Sequence, residues 1–192
     1  MSTLADTRPT PATDLLHIER WNDPLATGVF DSDTDEALMF LRDIDDINIR
    51  RRQHTVDLTV ASLGGSAAGR TVAVWGAAFK PDSDDVRDSP ALHVARALHD
   101  LGARVVVHDP RAIDNARALF PDLDYAETAE EAARGADVLL LLTEWRDYTA
   151  IDPAGVLPLM TTPTVIDARN ALDVERWRSA GWTYRALGRP TA

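Results

Sequence analysis

Of the 20 basic residues in the chain, 19 are arginines and one, Lys80, is a lysine. A genome rich in G and C accounts for the arginine bias but not for the exception. An ammonium is a compact charge on a flexible stem and a guanidinium a planar fork, so the two do not substitute for one another where geometry matters. Lys80 lies in the run AAFKPDSDDVRDS (residues 77–89), flanked by Phe79, a flat apolar surface, and Pro81, which stiffens the backbone. Asp82, Asp84 and Asp85 follow, then Arg87 and Asp88 beside a Ser-Pro pair that reads as a helix start, where anions are favoured. The chemistry available here is the holding of a phosphate-bearing ligand. A solvated charged loop is the competing reading of the same tripeptide.

Three other segments carry polar groups at the ends of apolar runs: His108-Asp109-Pro110, Thr143-Glu144-Trp145 and Asp167-Ala168-Arg169-Asn170. An acidic group such as Asp109, ending a second strand, often meets a ribose hydroxyl, although for an isolated HDP a capped strand end is the better explanation. Arg169 could take a phosphate or carboxylate in a bidentate pair, or be held by a loop aspartate. The chain has no cysteine, which excludes disulfides, thiolate metal sites and a thiol nucleophile of its own. No residue pattern suggests a metal. A net charge of −11 argues against nucleic-acid binding, so an anionic ligand needs a local basic site.

The elements around these segments can be read from periodicity. Residues 1–33, with scattered prolines and aspartates, read as a loosely ordered N-terminal segment. Residues 34–65 read as a long amphipathic helix with Leu38, Leu41, Ile44, Ile47, Val56 and Val60 on one stripe, ended by Gly64 and Gly65. From residue 70 to 190, short apolar runs alternate with helical stretches. Strands are predicted at 70–76, 103–110, 137–145, 164–170 and 182–188, and helices at 89–102, 111–120, 128–135, 153–160 and 173–181. That alternation predicts an α/β domain of the doubly wound, Rossmann-like kind with a mostly parallel sheet, whose ligands sit at the carboxyl ends of the strands. The longest apolar run, residues 138–142, is far too short to span a bilayer. The start of the chain does not resemble a secretory signal, so a cytoplasmic location is expected.

An ordinary dinucleotide site would place G-x-G-x-x-G after the first strand. Only Gly76 is present, followed by the 13 residues of the charged loop. The ordered series GAAFKPDSDDVRDSP, VVVHDP, DVLLLLTEW, VIDARN and ALGRP instead resembles the C-terminal domain of the UDP-glucose/GDP-mannose dehydrogenase family. The resemblance runs over residues 36–190, and the helix ending in SLGG is similar to the end of that family's central connecting helix. It implies that Phe79, Lys80 and Arg169 contact a nucleotide sugar, and that Arg87 lies near the pyrophosphate of NAD across a domain cleft. Asp109 and Trp145 would shape the site rather than touch ligand. Three positions depart from the family pattern: Ala77 for leucine, Asp88 for glutamate, and Ala168 for the glycine of D-G-R-N, which would permit a conformation alanine resists.

The family oxidises the sugar C6 alcohol to a carboxylate, as in UDP-glucose to UDP-glucuronate. It uses two hydride transfers to NAD, a cofactor bound mainly by a separate N-terminal domain, and a covalent adduct on a cysteine. This chain has neither that cysteine nor a G-x-G-x-x-G segment. The resemblance therefore implies a nucleotide-sugar-binding domain with no catalytic residue, inactive as this chain alone. Three settings fit: a fragment of a longer dehydrogenase, a non-catalytic partner that dimerises through the 34–65 helix, or one half of a split enzyme whose NAD-binding half is separate.

Overall fold

The computed structural model describes residues 32–188, with side chains from residue 42 onward. Most of the segment expected to be loosely ordered, and Arg189 and Pro190 of the terminal motif, lie outside the described residues. The chain divides into two units within its first helix, Met1–Ile44 and Asp45–Ala192. Helix α1, Ser32–Ser62, stops where glycine was expected to stop it. Gly64 and Gly65 take φ of 84° and 95°, the Gly65 N–H donates to the Val60 carbonyl at 2.9 Å, and the Gly64 N–H donates to Ala61 at 3.3 Å. This six-to-one and five-to-two pairing satisfies carbonyls that a helix end leaves open. Thr55, Val56, Thr59 and Leu63 on the last turns are buried, whereas Ile44 and Ile47 remain 38% and 43% exposed. The side chains of Leu38 and Leu41 lie outside the described set.

Six strands then form one sheet: β1 Thr71–Trp75, β2 Arg104–His108, β3 Asp124–Tyr125, β4 Val138–Leu141, β5 Thr164–Asp167 and β6 Thr183–Ala186. Their spatial order is β3-β2-β1-β4-β5-β6, and every pairing is parallel. A parallel sheet needs helical crossovers that cover both faces, which explains strands that are apolar throughout rather than at alternate positions. All four residues of β4 are fully buried. Truncation of Leu140 to alanine would cost about 2–5 kcal/mol. The crossovers are α2 Pro90–Asp100, α3 Ile113–Leu119, α4 Ala129–Ala133, α5 Arg146–Ala150, α6 Pro153–Val156 with a following single turn at Leu157–Leu159, and α7 Val174–Ser179. Periodicity did not anticipate β3 or α5.

One aromatic cluster sits under the site. Trp75, fully buried at the end of β1, stacks on Tyr148 of α5 with centroids 5.2 Å apart and meets Trp177 of α7 edge-on at 6.2 Å. Its indole N–H donates to the Ala129 carbonyl at 2.9 Å, so the ring buries its area without losing a hydrogen bond. Strand order reverses between β1 and β4, which makes the carboxyl ends of those strands the topological switch point.

Candidate functional site

The loop after β1 starts with a close backbone approach. Gly76 has φ of 104°, and a Cβ there would lie 2.5 Å from Thr143 Cβ and 2.6 Å from Thr143 N. Only glycine fits. Ala77 and Ala78 behind it are buried and fully paired. Their N–H groups donate to Asp109 Oδ2 at 2.8 and 3.0 Å, and their carbonyls accept from the hydroxyls of Ser89 at 2.6 Å and Thr143 at 2.8 Å. The Phe79 N–H then donates to the Asp85 carbonyl at 2.8 Å, which folds the loop back on itself, and Asn115 of α3 donates to the Asp84 carbonyl at 2.9 Å. Phe79, 51% exposed, and Lys80 stand at the outward tip of a loop whose base is fixed. Lys80 makes no ion pair among the described residues.

Asp109 is the anchor of that base. It is 2% exposed, and its two oxygens accept five N–H groups: Ala77, Ala78 and the Trp145 indole at Oδ2, Arg111 and Ala112 at Oδ1, all between 2.8 and 3.1 Å. A buried carboxylate with no cation in contact is tolerable only when oriented dipoles replace its hydration. The donors come from the loops after β1, β2 and β4, so one side chain ties three segments of the rim together. Asp109 and Trp145 are both buried and bonded to each other. Arg111 lies over the Trp145 ring, 5.9 Å from its centroid.

Arg169 stands at the end of β5, in the turn after Asp167. Its Nε and Nη2 donate to Glu144 Oε2 and Oε1 at 2.5 and 2.9 Å. The loop aspartate expected as its structural partner is thus a glutamate of the TEW segment. Pairing with Arg169 holds the Glu144 carboxyl below its usual range. The residue in the left-handed region is Asn170, with φ of 55°, and not Ala168, so the loss of the family glycine puts no strain on the backbone before Arg169.

Arg87 lies at the far end of the β1 loop, its side chain 88% exposed and paired through Nε and Nη2 with Asp85 at 2.9 and 2.8 Å. Hydrogen bonding from Arg87 draws the Asp85 carboxyl down to about 2. Its neighbour Asp88, with φ of 50°, accepts from Arg52 of α1 at 3.2 and 3.4 Å and lies 3.1 Å from His93 Nε2. Burial, followed by the nearby Arg52 charge, lowers the affinity of His93 for a proton. His108 and Tyr148 form a buried pair: the Tyr148 hydroxyl donates to the His108 carbonyl at 2.9 Å, which leaves Nδ1–H of His108 to donate back at 3.0 Å. Burial lowers the affinity of that imidazole for a proton.

Phe79, Lys80, Asp109, Glu144, Trp145 and Arg169 therefore occupy one rim of the sheet, on loops that follow β1, β2, β4 and β5. Glu144 is the site residue that sequence reasoning missed. Its signal was its place one residue after Thr143, on the same rim as Arg169. Among the described residues no group of three or more potential metal-ligating side chains converges, and no helix is long and apolar enough to cross a membrane.

Residues 73–174 match the UDP binding domain of the UDP-glucose/GDP-mannose dehydrogenase family. A UDP-glucose 6-dehydrogenase of Rhizobium meliloti is 40% identical over 144 residues, which cover 75% of this chain and 33% of the relative. Among solved structures, a UDP-glucose dehydrogenase from Pyrobaculum islandicum superposes with a TM-score of 0.61 at 34% identity, over 73% of this chain and 30% of the other. An NDP-N-acetyl-D-galactosaminuronic acid dehydrogenase from Methanosarcina mazei gives 0.64 at 30% identity, with the same coverage of each. The chain spans about a third of the length of the curated relatives it matches. The match extends over more than half of the chain and includes the loops that carry Phe79, Lys80, Arg87 and Arg169, so the protein belongs to the UDP-glucose/GDP-mannose dehydrogenase family.

Proposed function

We propose that this chain is the nucleotide-sugar-binding domain of an NAD-dependent, cytoplasmic dehydrogenase that oxidises UDP-glucose to UDP-glucuronate. In this reading Phe79 packs against the nucleotide sugar, Lys80 and Arg169 contact its diphosphate, and Arg87 faces the pyrophosphate of NAD. NAD itself and the thiol nucleophile come from outside this chain. The observation that carries the reading is the β1 loop: its base is buried and hydrogen-bonded at every backbone group of Ala77 and Ala78, while its tip presents an apolar ring and an ammonium with no ion pair among the described residues. A pre-fixed loop binds an anion without the cost of ordering it.

Calorimetric titration with UDP, UDP-glucose, GDP-mannose and NAD tests this. UDP and UDP-glucose bind the wild-type chain, NAD does not, and Lys80→Ala weakens UDP binding about tenfold, the worth of one charge-assisted contact. If none of the four binds at millimolar concentration, the binding reading fails. A second reading, a domain that also pairs with another copy or with a dehydrogenase half, is favoured by the exposure of Ile44 and Ile47 on α1. Light scattering that finds a strict monomer, alone and with full-length relative, would remove it.

A further inference from the structure

Arg169 is fixed at both ends. Its main-chain N–H donates to Asp167 Oδ1 at 2.9 Å, and Asp167 is fully buried, with Oδ2 accepting from the Leu172 N–H and the Tyr184 hydroxyl at 2.8 Å each. The root of the side chain therefore cannot shift without breaking a buried network. Its head is held by the fork-to-fork pair with Glu144. The sheet sets the spacing of that pair, since Leu141 of β4 lies opposite Asp167 of β5, three and two residues before Glu144 and Arg169.

A guanidinium has five N–H donors in one plane. Glu144 takes one from Nε and one from Nη2, along a single edge. The other edge, with parallel N–H groups on Nη1 and Nη2, has no partner among the described residues. From this we infer that Glu144 is a positioning residue for nucleotide binding: it does not touch the ligand, but locks Arg169 so that the free Nη1–Nη2 edge is presented to a diphosphate oxygen. The inference rests on the proposed role of Arg169.

The locked geometry and simple charge make opposite predictions. Glu144 cancels the Arg169 charge at long range, so if charge alone mattered its removal would tighten the binding of an anion. If orientation matters, its removal frees a long side chain that must be ordered again on binding, and affinity falls. Both partners are partly exposed, with side chains 35% and 38% accessible, so the substitution should not unfold the domain.

The test is calorimetric titration of UDP against wild type, Glu144→Gln, Arg169→Ala, the double variant and Lys80→Ala, with thermal melts of each. Glu144→Gln should weaken binding by about three- to tenfold with little change in the melt, and Arg169→Ala by about tenfold or more. In the Arg169→Ala background the Glu144 substitution should add nothing, because a residue that acts through another is silent once that other is gone. Unchanged or tighter binding by Glu144→Gln, or an equal loss in both backgrounds, overturns the inference while leaving the site reading intact if Lys80→Ala still weakens UDP. Failure of the wild-type chain to bind UDP overturns both.

Discussion

The two sides of the rim are built on the same device and present different cations. On one side Asp109 anchors the β1 loop that carries Lys80, and on the other Asp167 anchors the turn that carries Arg169. Each anchor is a buried carboxylate that meets N–H or O–H donors and no cation. Asp109 gathers five donors from three loops, whereas Asp167 gathers three, two from its own turn and one from β6. The larger hub ends in an ammonium with no ion partner among the described residues, the smaller in a guanidinium already held by Glu144. An ammonium is a point charge that needs only to be placed, so a rigid loop suffices. A planar fork must also be oriented, which calls for a second contact at its head.

Removing the anchors should give the largest effects and rank them. Asp109→Ala removes the acceptor of five N–H donors, four of them in buried bonds, and should cost about 4 kcal/mol, or roughly 10 °C in thermal midpoint for a chain of this size. Asp167→Ala removes the shared acceptor of two N–H groups and the Tyr184 hydroxyl and should cost about 2–3 kcal/mol. Thermal and chemical unfolding of both variants checks the ranking. A larger loss at Asp167 would mean that the number of donors does not set the worth of the hub.

A matched pair of smaller changes sharpens the same contrast. Trp145→Phe removes one of three donors from Asp109 Oδ2, and Tyr184→Phe removes one of two from Asp167 Oδ2. Each should cost about 1–2 kcal/mol, with the tyrosine change at least as costly because fewer donors remain. Their effects on binding should separate. Trp145→Phe loosens the base of the Lys80 loop and lowers UDP affinity, and Tyr184→Phe leaves the Lys80 contact alone. Equal losses of affinity in the two variants would show the halves of the rim to be coupled.

These differences also explain what could be read without the structure. The strands β1, β2, β4 and β5 were legible because both faces of a parallel sheet are covered, so each strand is a run of apolar residues bounded by glycine, proline or a charge. Strand β3 is two residues, Asp124 and Tyr125, and α5 is five residues whose N-cap, Trp145, makes no side-chain hydrogen bond to the helix start. Neither is long enough to hold a period. In the site, Phe79, Lys80, Arg87 and Arg169 came from an ordered set of motifs. How Asp109 shapes the site was not readable, because three of its donors lie 31 to 36 residues away and two of them are main-chain groups with no side-chain signature. Glu144 escaped for a related reason: its partner is 25 residues on, across a strand pairing that periodicity does not reveal.

The smallest expected effect concerns another bidentate arginine, the one in the β1 loop. Arg87 holds Asp85 with the same fork that Arg169 uses on Glu144, but its side chain is 88% exposed and its partner is two residues away in the same loop. The Asp85 carboxyl is lowered from 3.8 to about 2, first through the Arg87 side-chain hydrogen bond. A depressed folded-state value means that the pair favours the folded chain above the ordinary carboxylate range and that this contribution fades as pH falls from about 4 towards 2. For a pair so open to water the effect on the melt should be too small to measure. The carboxyl titration itself should still be visible. Carbon-detected NMR should find Asp85 titrating near 2 in the wild-type chain and clearly higher in Arg87→Ala, with no loss of UDP affinity. An Asp85 midpoint that stays low without Arg87 would show that the loop backbone, through the Arg87 main-chain N–H to Asp85 Oδ1, holds the carboxylate by itself. The β1 loop would then resemble the Asp109 and Asp167 hubs more closely than the Glu144–Arg169 pair.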